Sequence, residues 1–234
     1  MSKVIIACDF AGKEETLRFL DRFGSTRPFL KIGMELFYAE GPSIVRELKE
    51  RGHELFLDLK LHDIPNTVKK AMRVLSNLDT DIVNLHASGT RAMMEAALEG
   101  LTRPDGTRPK CIAVTQLTST DQTALETELG IHAPMAEVVL SYAENAKRAG
   151  LDGVVCSPLE AGAVHARCGS GFLCVTPGIR FADSDKGDQK RVMTPAEARK
   201  IGSDLIVVGR PITASADPLA AYERCVMDFE GGQA

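Results

Sequence analysis

Asp58-Leu59-Lys60-Leu61-His62-Asp63 places ionisable side chains at four of six consecutive positions, directly after the apolar run Leu55-Phe56-Leu57. On an extended backbone side chains alternate, which sends Asp58 and Lys60 to one face and Leu59 and Leu61 to the other. A carboxylate and an ammonium side by side at the end of a buried strand have both lost hydration and must compensate each other. Such a pair is either a structural ion pair or a charged device that moves protons and stabilises developing charge. Lys31, flanked by Leu30 and Ile32, is a second ammonium in apolar surroundings, and lysine is seldom buried without a partner.

These residues need elements to position them, and the chain alternates strand-like and helix-like stretches from end to end. The strand candidates are Val4–Cys8, Pro28–Gly33, His53–Asp58, Asp81–His86, Lys110–Gln116, Gly153–Ser157, Phe172–Thr176 and Asp204–Val208. Several are nearly continuous apolar runs, as expected of parallel strands covered on both sides. Between them the pattern predicts helices over Lys13–Phe23, Gly41–Arg51, Asn66–Leu78, Arg91–Leu101, Pro134–Ala149, Pro158–Ala166, Thr194–Ile201 and Pro218–Phe229. Thr194-Pro195-Ala196-Glu197 has the form of a reciprocal N-terminal cap. Eight such units in 234 residues predict an α/β fold, a single-domain (β/α)₈ TIM barrel over residues 1–234. An open doubly wound sheet is the alternative. It usually carries a glycine-rich turn after its first strand, and Cys8-Asp9-Phe10-Ala11-Gly12 has none.

In a barrel the carboxyl ends of all strands gather at one face, where barrel enzymes place their chemistry. Polar residues fall there with a consistent bias: Asp9, Lys31, Asp58 and Lys60, His86, Gln116 and Thr118, Ser157, Arg180, and Gly209 with Arg210. Asp9 could equally form a turn, and His86 reads as a satisfied strand-end histidine. His53, His132 and His165 read as surface or packing residues. The loops after strands seven and eight are the recurrent phosphate site of barrels, and Arg180 and Arg210 offer guanidinium groups there beside Gly209. The polar stretch Phe181–Lys190 reads either as a lid that carries Gln189 to a ligand or as plain surface.

Composition excludes several classes. A formal net charge of −4 without a basic tract argues against nucleic acid. No apolar run approaches the roughly 18 to 20 residues that cross a bilayer, and the N-terminal apolar stretch is too short for a signal peptide. The expectation is therefore no membrane partner and a cytoplasmic location. The six cysteines have neither C-x-x-C nor zinc spacing and read as buried free thiols.

Cys8-Asp9-Phe10, Phe29–Gly33, Phe56–Pro65 with its Asp-x-Lys-x-x-Asp core, Val114–Ser119, Pro177–Arg180 and Val207–Arg210 follow one another along nearly the whole chain. In these segments the chain resembles the bacterial-type orotidine 5'-phosphate decarboxylases. Thr90 departs from the pattern, because a second glycine is expected after Gly89. The resemblance implies a cofactor-free, metal-free carboxy-lyase acting on orotidine 5'-monophosphate in pyrimidine biosynthesis. It implies an alternating charge network of Lys31, Asp58, Lys60 and Asp63, with Lys60 as proton donor. It also implies a homodimer in which Asp63 and Thr67 reach the partner's site. Asp9 and Lys31 would contact ribose, Thr118 the pyrimidine, and Arg180, Gln189, Gly209 and Arg210 the phosphate. Three readings stay open beside it: a metal-dependent decarboxylase of the same barrel type, a Schiff-base aldolase, and a catalytically silent phosphate-gripping barrel.

Overall fold

The computed structural model describes residues 2–181 and 193–231. The expected lid therefore lies almost wholly outside the described residues, and Gln189 with it. Eight parallel strands close into a barrel in sequence order: β1 (Val4–Cys8), β2 (Phe29–Ile32), β3 (Leu55–Leu61), β4 (Ile82–His86), β5 (Lys110–Val114), β6 (Gly153–Val155), β7 (Leu173–Thr176) and β8 (Leu205–Val208), with β8 pairing back to β1. Helices α1 (Lys13–Asp21), α2 (Met34–Glu40), α3 (Pro42–Glu50), α4 (Pro65–Leu75), α5 (Thr90–Leu101), α6 (Gln122–Thr127), α7 (Met135–Arg148), α8 (Pro158–Cys168), α9 (Pro195–Lys200), α10 (Arg210–Thr213) and α11 (Pro218–Glu230) lie between and after the strands.

The alternation of side chains divides the core in two. Ile5, Phe29, Phe56, Ile82, Ile112, Val175 and Leu205 point into the barrel and fill its lower interior. Their neighbours Ile6, Leu30, Leu57, Val83, Cys111, Cys174 and Ile206 point outward and pack in the cluster shared with the helices. Two residues further along the same inward columns the chemistry changes: Phe29 is followed by Lys31, Phe56 by Asp58, and Ile82 by Asn84. An apolar floor thus carries a polar upper layer.

Helices α2, α6 and α10 occupy stretches where the sequence shows no helical period. Each is short and buries a single apolar anchor: Leu36, Leu125 and Ile212 respectively. One anchor leaves no repeat to detect. The longer helices follow the expected pattern, and Thr194 and Glu197 form the reciprocal cap of α9, with Thr194 N–H donating to Glu197 Oε2 at 2.9 Å. All six cysteines are free and buried. Burial pushes the Cys8 and Cys111 thiols up to about 12, so both stay protonated at neutral pH.

The amino-terminal end of the barrel is closed by a device used three times. Asp81, Asp152 and Asp204 each precede an even-numbered strand, and their carboxylates accept the backbone N–H of Leu55, Cys111 and Cys174 at 2.7 Å. Each aspartate N–H in turn donates to the carbonyl of the residue it caps, at 2.9 to 3.0 Å. A cationic or polar side chain closes each unit: Lys49 on Asp81, Arg108 on Asp152 and His165 on Asp204. His165, Cys174 and Asp204 bring atoms able to bind a metal within 4.8 Å of one another. The other two units show what this arrangement is: a strand cap with histidine in the place of the lysine or arginine.

Thr90 keeps the turn that its glycine-type position demands, but with φ 72° and ψ 167°. A β-branched residue is poorly suited to that region, at a cost of order 1–3 kcal/mol. Thr90→Gly should therefore stabilise the fold by about 1 kcal/mol after the entropy cost of glycine is subtracted. Its urea midpoint should rise at unchanged slope; a fall would show that Thr90 is relaxed. Asp152→Ala leaves the Cys111 N–H and Arg108 without their acceptor and should cost about 2 kcal/mol. An unchanged denaturation midpoint would show that the strand caps contribute nothing.

Candidate active site

The site is built on an irregularity in β3. Leu57 pairs with Val83 and Leu61 with Leu85, so four residue steps on β3 run beside two on β4. The surplus is taken up at Asp58-Leu59-Lys60, where Lys60 adopts φ 53°, left-handed backbone that costs a non-glycine residue about 1–3 kcal/mol. Asp58 and Lys60 do share a face, as alternation suggests, but a bulged strand that continues to Leu61 holds them there. Strand β3 does not stop at Asp58.

Asp58 lies between two ammonium groups. Lys60 Nζ donates to its Oδ1 at 2.7 Å, and Lys31 Nζ stands 3.4 Å from its Oδ2. Lys31 also donates to Asp9 Oδ1 at 3.0 Å. Lys31 and Asp58 are only 9% and 8% exposed, so these charges interact with little water between them. Burial alone would push the Asp58 carboxyl up. The charges of Lys31 and Lys60, with hydrogen bonds from Lys60 and Asn84, outweigh burial and hold it below the usual carboxylate range. Burial would likewise lower Lys31, but Asp58 and Asp9 raise it above the ordinary lysine value of 10.5.

The two shifts have opposite pH consequences. The depressed Asp58 contributes stability above its unfolded pKa and loses it as pH falls through the folded value. The raised Lys31 contributes below its unfolded pKa and loses it as pH rises through the folded value. Asp58 and Lys31 are therefore both charged throughout the neutral range.

Two residues that sequence reasoning did not single out for the site support this row. Asn84, 1% exposed on β4, accepts the Lys60 N–H on its Oδ1 at 2.8 Å and donates from Nδ2 to Asp58 Oδ1 at 2.6 Å. The signal was present in Ile82-Val83-Asn84-Leu85-His86, where Asn84 shares the inward column of Ile82 and His86. Gly33 is the second. A Cβ there would lie 3.1 Å from Asp9 Oδ1 and 3.2 Å from Lys31 Nζ, crowding the ion pair. His86 lies at the rim, its ring 5.6 Å from that of His62. Burial, followed by His62 and Lys60, lowers its pKa, so its imidazole is neutral at pH 7.

The charged row opens on two adjoining hollows. One, of about 160 Å³, is lined by Lys31, Asp58, Lys60, Gln116, Thr118 and apolar Phe56, Val114, Val155 and Val207. The other, of about 410 Å³, is lined by Asp9, Lys31, Gly178, Arg180, Gly209 and Arg210. Lys31, Pro177 and Val207 belong to both. A Cβ on Gly209 would sit 3.8 Å from Ala7, in ordinary contact. The surrounding protein atoms therefore leave room for a Cβ there.

Most of the sequence-derived site residues converge here: Asp9, Lys31, Asp58, Lys60, Thr118, Arg180, Gly209 and Arg210. Asp63 and Thr67 do not. Asp63 is exposed and turns its Oδ1 onto the N–H of Ile64 at 2.6 Å. Thr67 is exposed in the first turn of α4. Ile64 between them is 67% exposed.

Similarity to known proteins agrees with this geometry. A curated relative from Bacillus caldolyticus, named orotidine 5'-phosphate decarboxylase, is 59% identical over 232 residues, covering 98% of this chain and 95% of the relative. One of the same name from Geobacillus kaustophilus is 58% identical over 232 residues, with the same coverage. The crystal structure of orotidine 5'-phosphate decarboxylase from Lactobacillus acidophilus superposes with a TM-score of 0.88 at 42% identity, covering 99% of this chain and 100% of that one. Residues 2–225 match the family described as Orotidine 5'-phosphate decarboxylase / HUMPS family, and the chain, a closed (β/α)₈ barrel, belongs to that family.

Proposed function

We propose that this protein decarboxylates orotidine 5'-monophosphate to uridine 5'-monophosphate and CO₂, using the Lys31–Asp58–Lys60 row. The observation that carries this reading is the buried carboxylate held between two ammonium groups at the wall of a small, largely apolar hollow. Loss of CO₂ from C6 leaves an electron pair in the plane of the pyrimidine ring, outside its π system. Stabilisation must then come from a positive charge placed beside the carbon. The Lys60 ammonium supplies that charge, then gives its proton to C6, and is reprotonated from solvent.

In this reading Asp58 stands near the departing carboxylate. Two unit charges about 4 Å apart at an effective dielectric near 20 repel by roughly 4 kcal/mol, an upper figure for the relief as CO₂ leaves. Fully expressed in the barrier, that is about a thousandfold in rate. The phosphate, gripped in the second hollow by Arg180, Gly209 and Arg210 and by Gln189 from outside the described residues, supplies the binding energy that offsets the repulsion. Asp9 and Lys31 hold the ribose hydroxyls, and Thr118 faces the pyrimidine. The reading calls on no cofactor, and the molecule works as a homodimer in the cytoplasm.

The Schiff-base alternative fits the electrostatics poorly at Lys31. An imine needs a neutral amine, and Asp58 and Asp9 hold this one protonated. Asp63 and Thr67 are proposed to act on the partner's site, because each is exposed and lies outside the hollows of its own chain.

Lys60→Ala should abolish loss of orotidine 5'-monophosphate in a chelator-containing ultraviolet assay while uridine 5'-monophosphate still binds. Near-normal turnover would reject Lys60 as the proton donor. Lys60→Ala and Asp63→Asn should each be nearly inactive alone, but mixed and re-associated they should recover about a quarter of wild-type sites, since a two-fold heterodimer rebuilds one complete site. No recovery after demonstrated subunit exchange would place Asp63 in its own chain's site.

A further inference from the structure

Resting on the decarboxylase reading and deepening it, we propose that Asn84 is a positioning residue that sets the Lys60 ammonium and the Asp58 carboxylate against the reacting carbon. It does so by bridging the β3 bulge with its side-chain amide.

Where β3 gains residues relative to β4, the regular ladder between the strands is interrupted. The Lys60 N–H finds the side chain of Asn84 at 2.8 Å as its acceptor. The other end of the same amide donates to Asp58 at 2.6 Å. One planar group thus fixes the backbone of the proton donor and the oxygen that the donor's ammonium grips at 2.7 Å. The position needs an acceptor on one side and a donor on the other, which an amide supplies at neutral pH and an ionised carboxylate does not. Asn84 lines neither hollow, which separates it from residues that touch substrate.

The charged and titratable neighbours of position 84 are few. Asp58 and Lys60 face it from β3, with Lys31 beyond them on β2, and His86 lies two residues along its own strand. On β5 its register partner is apolar Ile112. The electrostatic consequence of a substitution there is therefore legible.

Asn84→Leu keeps the branching and the number of heavy atoms and removes both hydrogen bonds. Its kcat should fall about ten- to a hundredfold, while KM and uridine 5'-monophosphate affinity stay within about twofold. Asn84→Asp keeps the acceptor for Lys60 N–H but turns a second carboxylate onto Asp58. Asp58 is held ionised, so the introduced carboxyl takes up a proton first as pH falls, and once protonated it donates as the amide did. Its kcat, relative to wild type at the same pH, should therefore recover at mildly acid pH. A purely structural role predicts no such recovery.

Wild-type kcat at neutral pH in either folded variant overturns the proposal, as does a KM effect with kcat intact, or an Asn84→Asp deficit that does not vary with pH. If Asn84→Leu does not fold, as judged by circular dichroism, the Asn84→Asp pH profile decides alone. Wild-type protein run alongside separates the two hypotheses: if it fails to consume orotidine 5'-monophosphate, the decarboxylase reading falls; if it turns over and the variants match it, only the role of Asn84 falls.

Discussion

A carboxylate placed between two ammonium groups, with little water to share, is the constraint around which the upper barrel is arranged. Without Asp58, the ammonium groups of Lys31 and Lys60 lose the carboxylate that compensates both. Remove either lysine and Asp58 is a buried charge with half its compensation. Breaking such a group costs more than the group itself contributes, so its members stand or fall together. The surrounding sequence accommodates it at several points: Gly33 keeps clear of the Asp9–Lys31 contact, Asn84 meets Asp58 from the next strand, and Phe56 and Ile82 seal the layer beneath.

The row also explains why β3 is not a regular strand. A flat strand would set Asp58 and Lys60 on one face at the ordinary spacing and give both backbones to the ladder. The bulge turns Lys60 through a left-handed residue and brings its ammonium back onto the carboxylate two positions earlier. Strain at a residue proposed to do chemistry is sustained because neighbouring contacts over-determine it. The Asn84 bond and the two ion pairs of Asp58 are those contacts.

Much of this was legible in the sequence, for physical reasons. The eight strands announce themselves as apolar runs because both faces are covered, and the longer helices repeat their buried residues often enough to be seen. Asp58, Lys60 and Lys31 stand out because charge is rare in such runs. Asn84 did not stand out, since a single uncharged amide in a strand has many ordinary uses, and its role depends on a register shift that no local pattern encodes. Helices α2, α6 and α10 escaped because one anchor each makes no period. Asp63 illustrates a different limit. Its spacing from Lys60 marks it as part of the motif, yet it is exposed and accepts the Ile64 N–H, and the geometry of the chain gives it no contact with the row.

The two adjoining hollows suggest how binding and chemistry are kept apart in the proposed reaction. The smaller is walled mostly by apolar side chains, which offer a planar ring no strong attraction and so leave the charged row as its main polar feature. The larger carries the guanidinium groups and glycine-rich turns suited to a phosphate. Lys31 spans both, paired to Asp58 on one side and Asp9 on the other. A ligand whose phosphate is seated in the outer hollow would have its ring delivered against Asp58 by covalent connection alone. Attraction at the far end then works against repulsion at the reacting end, and only the second of these changes as the bond breaks. That asymmetry, rather than the strength of either contact, is what would accelerate the step.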